Sequence, residues 1–415
     1  MGGGGVSATG LGGDLPAWAS DERAARMAWS RLAEPGDRLA RVVRHGLGHV
    51  PALEHVLRGR PLPRELLAPA DGDAGTVAPV RARGWLDDGL ERWQVRRAHL
   101  DPERDLQVLA AVGGRVLVPG DPDWPPQLDD LGAGAPACLW VRGSGRAAAL
   151  VARSVALVGS RASTAYGERV AADLGAGAAA HGWTVVSGGA FGIDAAAHRG
   201  VLAVDGPTVA VVACGVDRAY PRAHERLLAA VAEAGMVVGE TPPGGIPSRW
   251  RFLERNRLIA ALSGATVVVE AAWRSGALST AGHAVDLGRR LGAVPGPVTS
   301  AVSAGCHRLL REMGAVCVTD AEELVELASA IATGPPPRRA AERDHDPLEG
   351  DDLLVYEALA PRAPRSAPQL AHLAGLPERQ VRSALGRLSL LGLAAYAAGN
   401  DGNHLWTRRR PAARP

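Results

Sequence analysis

The feature that most constrains this chain is a repeated alternation between residues 154 and 318. Short apolar runs are each followed by a loop of small residues and, in most cases, by a helical stretch. The runs are Ser154–Val158, Thr184–Val186, Thr208–Val212, Met236–Gly239, Thr266–Glu270, Gly292–Val294 and Ala315–Val318. None alternates apolar with polar residues, so both faces of each strand must be covered. Most intervening segments are long enough for the helical crossover that parallel strands require. The pattern predicts an α/β fold: an extended Rossmann-like, doubly wound sheet. A ligand of such a sheet binds outside the carboxyl ends of its strands.

The flanks differ in texture. Residues 1–20 read as a disordered leader, and 21–104 as a small helical domain of the SAM or helix-hairpin-helix kind. The Rossmann-like domain is expected over 105–332. Gly334-Pro335-Pro336-Pro337 marks a linker over 333–348. Beyond it, Leu353–Leu359, Ala367–Ala374 and Pro377–Leu391 read as three helices. Gly392–Trp406 reads as a hairpin turning at Gly399-Asn400-Asp401-Gly402. Three helices and a hairpin predict a winged-helix-like domain over 349–407, with a frayed tail over 408–415.

Composition sharpens the reading of the loops. The chain has no lysine, so all 46 basic residues are arginine, and net charge is only +2. An isolated arginine is therefore weak evidence of an anion site, and bulk charge implies no partner. Phenylalanine occurs twice, and Asn256 is the only asparagine before the C-terminal hairpin. Where such rare residues cluster, they carry information. The four cysteines form no CxxC pair and no zinc spacing. Reduced thiols, a cytoplasmic location, no metal and no cofactor are expected. The start has no signal-peptide pattern, and no apolar run reaches about 18 residues, so no membrane partner is expected.

Five loops concentrate the chemistry. In the first, Gly159-Ser160-Arg161 leads to Thr164 at a helix start. Glycine admits close approach, free N–H groups favour an anion, and arginine grips phosphate bidentately. The plainer reading is a tight turn with Ser163 or Thr164 as N-cap. In the second, Ser187-Gly188-Gly189-Ala190-Phe191-Gly192-Ile193-Asp194 offers a nest of N–H groups. His198, one turn on, reads as a packed histidine. The third, Tyr220-Pro221-Arg222, places an arginine after another strand. The fourth, from Arg249 to Arg257, has four arginines in nine residues, with Trp250 and Phe252 among them. Arginines that track a backbone and aromatics that stack on unpaired bases suit single strands. A solvated helix face with Arg–Glu pairs is the plainer alternative. In the fifth, Ser275-Gly276 reads as a ligand-facing turn, with Ser279 or Thr280 as a helix cap.

These loops, in this order, resemble the DNA-processing protein A (DprA/Smf) family. ALVGSRASTAYG is similar to its GSR motif, SGGAFGIDAAAHRGVL to SGxAxGIDxxAH, and ERNRLIAALS to RNRxIAxLS. The resemblance is strongest over 105–320. It implies a homodimer that binds single-stranded DNA, protects it, and helps load the RecA recombinase in natural transformation, without catalysis of its own. It implies that Gly159, Ser160 and Arg161 hold a phosphate. Gly188, Gly189 and Gly192 would form a second cradle, and Arg222, Arg249, Arg255 and Arg257 would line the pocket. Phe252 would be a stacking platform, and Asn256 would fix the loop or contact the strand. Thr164, Ser187, Asp194, Ser275 and Gly276 complete the expected DNA-binding set. Leu253 departs from the family, which often has proline after that phenylalanine. His224 and His307 stand where asparagine is frequent.

Two other functions stay open on the residues. A nucleoside-monophosphate hydrolase could use Glu270 and Asp194 as an acid/base pair, although PGGxGTxxE, Walker A and nucleophile-elbow motifs are absent. A ligand-sensing regulator could read duplex DNA through the helix containing Glu378-Arg379-Gln380-Val381-Arg382-Ser383.

Overall fold

The computed structural model describes residues 15–67, 82–329, 348, 351–361, 363–398 and 404–409. The chain divides into two units, Met1–Ala332 and Thr333–Pro415. Nearly all of the expected linker lies outside the described residues, as do residues 1–14 and the tail beyond Arg409. The last part of the expected leader is ordered: Ala17–Ser20 form a 3-10 turn and Ala19 is buried.

The first unit opens with helices α1 (Glu22–Leu32), α2 (Arg38–Leu47), α3 (His49–Arg58), α4 (Ala82–Arg97) and α5 (Pro102–Ala111). Aspartates start three of them. Asp21, Asp37 and Asp101 accept from backbone N–H groups of α1, α2 and α5 that have no partner within the helix. The first four pack around Trp29 and Trp93, whose rings meet edge to face at 5.1 Å. The Trp29 indole N–H donates to the carbonyl of His49 at 3.0 Å. These helices belong to the same unit as the sheet that follows.

Among the described residues the sheet has nine strands. Strands β1 (Gly114–Leu117) and β2 (Leu139–Arg142) come first, then a short α6 (Ala147–Val151). Strict alternation follows: β3 (Ser154–Val158), α7 (Ala165–Ala180), β4 (Thr184–Ser187), α8 (Ile193–Leu202), β5 (Thr208–Val212), α9 (Glu225–Ala234), β6 (Met236–Gly239) and α10 (Arg249–Ala261). It continues through β7 (Ala265–Val268), α11 (Ala277–Asp286), β8 (Arg290–Ala293), α12 (Ala304–Glu312), β9 (Val316–Cys317) and α13 (Ala321–Ser329). The strand order is β1-β2-β6-β5-β4-β3-β7-β8-β9, parallel from β6 to β9. The Rossmann-like sheet is as expected. The two antiparallel strands that extend it beyond β6 were not anticipated.

Successive residues of β3 face opposite layers. Ala156 and Val158 pack toward α10, α11 and α12, whereas Val155 and Leu157 pack toward α7, α8 and α13. This arrangement explains the unbroken apolar runs, since neither face meets water. The chain leaves β3 toward β4 on one side, and β7 returns to its other side. The carboxyl ends of β3 and β7 therefore flank the switch point, where a doubly wound sheet leaves a crevice.

The second unit comprises α14 (Asp351–Ala358), β10 (Arg365–Ser366), α15 (Ala367–Ala374), α16 (Glu378–Leu390), β11 (Ala394–Ala398) and β12 (His404–Arg408). The strands form a small antiparallel sheet in the order β10-β12-β11, with Tyr396 opposite Trp406. Val355, Leu370, Leu385 and Leu388 are fully buried beneath it. The expected turn at 399–402 lies outside the described residues.

Candidate nucleic-acid interface

A cleft of about 700 Å³ opens at the switch point. Of the residues expected in the site, Gly159, Ser160, Arg161, Asp194, Arg249, Phe252, Arg255, Asn256, Ser275 and Gly276 line it. Arg274, Ser279 and Thr280 line it as well. Three separate loops and helix α10 thus converge on a single cavity.

The loop after β3 is held from below. Ser160 N–H donates to the Glu270 carbonyl at 2.7 Å, and Thr164 donates to the Glu270 carboxylate from its N–H and its hydroxyl, at 2.9 and 2.5 Å. The Thr164 hydroxyl also accepts from Gly167 N–H at 3.1 Å, so Thr164 is the N-cap of α7 and not part of the cleft wall. Glu270 is buried and committed to this loop. It does not line the cleft, which leaves the acid/base pairing with Asp194 without its partner.

The loop after β4 supports more than it contacts. The Ser187 hydroxyl is buried and donates to the Leu157 carbonyl at 2.6 Å. Gly188 lies under the Arg255 guanidinium: a Cβ at this position would fall 1.8 Å from Nη1. Gly192 has φ near +75°, and a Cβ there would meet the Ser160 carbonyl oxygen at 2.3 Å. Its glycine is what lets the first two loops touch. Gly188, Gly189 and Gly192 therefore stand behind the cleft and do not line it. His198 is fully buried, with Nδ1 2.8 Å from the Thr208 hydroxyl. Burial, reinforced by His224 and Arg255, pushes its pKa down to about 3.

The fourth loop is a helix. Ser248 caps α10 by accepting from Arg251 N–H at 3.2 Å, and the helix runs unbroken through Phe252 and Leu253. Its four arginines fall into two classes. Arg251 donates to Glu34 at 2.7 and 3.0 Å, and Arg96 reaches the same carboxylate at 2.7 Å. Arg257 is buried and pairs with Glu240 at 2.7 Å. It does not line the cleft, contrary to expectation. Arg249 and Arg255 do line it. Helix position alone does not set the class: Arg251 and Arg255 are four apart, about 40° around the axis, and differ in the partners that reach them. Both sequence readings of this segment thus hold, for different arginines.

Arg255 forms the floor. Its Nη1 donates to the Val211 carbonyl at 2.6 Å. Burial lowers its pKa to about 10, Asp194 opposing that effect, so it stays a cation near neutrality. Burial raises the Asp194 pKa, with the Arg255 charge acting in the other direction. Asn256 donates from its side-chain amide to the Gly276 carbonyl at 3.3 Å, tying α10 to the fifth loop. At the mouth, Arg161, Arg249 and Arg274 have no ion pair among the described residues. The Arg161 guanidinium carbon stands 4.5 Å from the Phe252 ring centroid. Tyr220, half exposed, leans on the same ring at 5.6 Å. Arg222 is exposed in the 3-10 turn Arg222–His224 and lies outside the cleft lining.

Sequence reasoning missed the anchoring of α10 by the first unit's N-terminal helices. The Trp250 indole N–H donates to the Pro35 carbonyl at 2.8 Å, beside the Glu34–Arg251 pair. The two ends of that pair are 217 residues apart, so no local pattern could have revealed it.

Residues 115–329 match the family model of DNA recombination-mediator protein A. The chain belongs to this family. The putative DNA processing protein DprA of Mycobacterium tuberculosis is 45% identical over 344 residues, covering 79% of this chain and 87% of that protein. Protein Smf of Escherichia coli is 42% identical over 212 residues, 51% of this chain and 56% of the relative. Among solved structures, DNA processing protein A from Streptococcus pneumoniae superposes with a TM-score of 0.54 at 30% identity, covering 72% of this chain and 95% of that one. The family match spans the whole cleft. The first 114 residues and the second unit lie outside it.

Among the described residues, no helix is long and apolar enough to cross a membrane, and no group of side chains could hold a metal ion.

Proposed function

We propose that this chain binds single-stranded DNA in the cleft between β3 and β7 and acts there as a recombination mediator, without chemistry of its own. The observation that carries the reading is the division of arginines. Those facing away from the cleft are neutralised by Glu34 and Glu240, whereas Arg161, Arg249 and Arg274 at its mouth have no acidic partner among the described residues. Unpaired cations gathered at one cleft fit a phosphate backbone. Phe252 and Tyr220 beside them fit flat bases, which a duplex keeps stacked in its interior and a single strand exposes. Membership of the DNA recombination-mediator family supports the same reading.

In this proposal Arg161 and Arg249 hold phosphates, Arg255 sets the potential of the floor, and Ser160, Ser275 and Gly276 contact the strand. Gly159, Gly188, Gly189 and Gly192 let the loops close together. The chain works in the cytoplasm as a homodimer. It shields incoming single strands and passes them to the RecA recombinase during transformation, the second unit serving as a winged-helix-like accessory. In α16 of that unit, Arg382 is paired with Glu378 and Arg387 with Asp352. That pairing leaves less free charge for reading a duplex.

The test is a fluorescence-polarisation titration with labelled oligothymidine and a matched duplex at low and moderate salt. Tighter, salt-sensitive binding of the single strand is expected. Equal or stronger duplex binding would overturn the proposal.

A further inference from the structure

Trp273 stands on the loop between β7 and α11, between Ala272 and Arg274, which line the cleft; it does not itself line the cleft, and its ring lies toward α12 at the rim. Its side chain is about half exposed, at 51%, and it belongs to none of the apolar clusters. One of the chain's ten tryptophans is therefore left partly in water at the rim of the proposed binding site. Trp250 is equally exposed, but its indole N–H is bonded to the Pro35 carbonyl and so anchors α10. The Trp273 indole makes no such hydrogen bond among the described residues. It is nevertheless held in place. The guanidinium of Arg308 on α12 lies 5.2 Å from its ring centroid. Glu312, one turn further along, fixes that guanidinium at 2.8 Å.

A preorganised aromatic face beside unpaired arginines has few suitable partners. An acidic peptide would match the charge of Arg274, Arg161 and Arg249 but would not present a flat group at each step. Unpaired nucleotides supply both a phosphate and a planar base at every residue. Phe252 lines the cleft from α10, whereas Trp273 stands just outside the lining, on the β7–α11 loop. We propose that Trp273 is a second stacking platform, which seats the base of a nucleotide adjacent to the one held at Arg161 and Phe252. The proposal rests on the single-strand reading of the cleft and extends its grip by one base.

The experiment compares wild type, Trp273→Ala and Trp273→Phe of the full chain. The probes are labelled oligothymidine and an abasic oligonucleotide of equal length. Base stacking contributes about 1–3 kcal/mol per base, so Trp273→Ala should weaken oligothymidine binding about 5- to 150-fold. Trp273→Phe should recover most of that loss. On the abasic strand the three proteins should bind alike, with unchanged salt dependence, because no phosphate contact is removed. Equal affinity of Trp273→Ala and wild type for oligothymidine would overturn the platform. So would an equal loss on the abasic strand, or a change in sedimentation showing that the ring joins two copies of the chain. Thermal melting of each variant separates a lost fold from a lost contact. If wild type itself ignored both strands, the single-strand reading would fall first, an outcome distinct from failure of the platform alone.

Discussion

The guanidinium of Arg161 lies over the ring of Phe252, 4.5 Å from its centroid, so the two side chains form one layered surface at the cleft mouth. Arginine supplies both a charge and a plane, and lysine only the charge. Arg161→Ala should therefore weaken oligothymidine binding about tenfold or more, and should reduce the slope of log affinity against log salt by about 0.7. Arg161→Lys should keep the slope but lose the stacking of the guanidinium plane on the ring, so affinity should fall at every salt concentration alike. Titration at four salt concentrations separates the two effects. An Arg161→Lys protein indistinguishable from wild type would show that the plane contributes nothing.

Arg249 and Arg251 make a matched pair of tests, since they are two residues apart on α10 and differ in what holds them. Arg249→Ala should weaken DNA binding and flatten its salt dependence. Arg251→Ala removes a cation already spent on Glu34 and should leave the salt slope as it was. It should instead cost about 1 kcal/mol of stability, readable in a urea melt. Burial raises the Glu34 pKa, but Arg251 and Arg96 outweigh it, and the carboxyl titrates below the usual glutamate range. A depressed carboxylate stabilises the fold above its unfolded value and loses that contribution as pH falls through the folded one. The stability difference between wild type and Arg251→Ala should thus shrink below about pH 4.

Much of the fold is legible in the sequence, because strands buried on both faces leave a compositional trace. Ser154–Val158, Thr208–Val212 and Met236–Gly239 are strands over the residues their apolar runs mark. The run ending at Glu270 stops early, at Val268, and Glu270 turns to hold Thr164. Leu139–Arg142 escaped notice because a four-residue run followed only by a five-residue helix carries little periodic signal. The loops of the site were recognisable by type, but not by which way each residue faces. Arg255 and Arg257 look alike in sequence. Their different fates depend on Val211 and Glu240, which reach them only through the sheet.

Gly188 gives a test of the floor. Arg255 is buried and bonded to Val211, so it cannot retreat from a methyl group placed 1.8 Å from its Nη1. Gly188→Ala should displace the guanidinium and reduce single-strand affinity about 10- to 100-fold, the scale of a charged hydrogen bond. If the glycine acts through Arg255, the two sites should not add: Gly188→Ala in an Arg255→Ala background should cost little more. Full additivity in that double-mutant cycle would instead place the Gly188 backbone directly against DNA.

His198 predicts the acid limit of the fold. It is fully buried, its Nδ1 meets the Thr208 hydroxyl, and the Thr208 hydroxyl itself donates to the Val185 carbonyl at 2.8 Å. Nδ1 must therefore be the donor, and Nε2, unprotonated, has no hydrogen-bond partner among the described residues. Its pKa is about 3 in the fold, against about 6.5 in an unfolded chain. Between these values the unfolded chain binds a proton that the folded chain refuses, so stability rises with pH and is lost as pH falls from about 6.5. The slope from this residue is about 1.4 kcal/mol per pH unit. His49, also lowered to about 3 by burial and then by Arg26 and Arg44, adds a second, smaller slope, because the Glu22 carboxylate 3.3 Å from its Nδ1 favours the charged form. Replacing His198 by glutamine, which keeps a donor without the titration, should flatten the dependence by about one proton's worth and leave that of His49. Urea melts at pH 7, 6 and 5 measure this directly. A variant whose melts fall with acid as steeply as wild type would mean that His198 takes up its proton in the folded state.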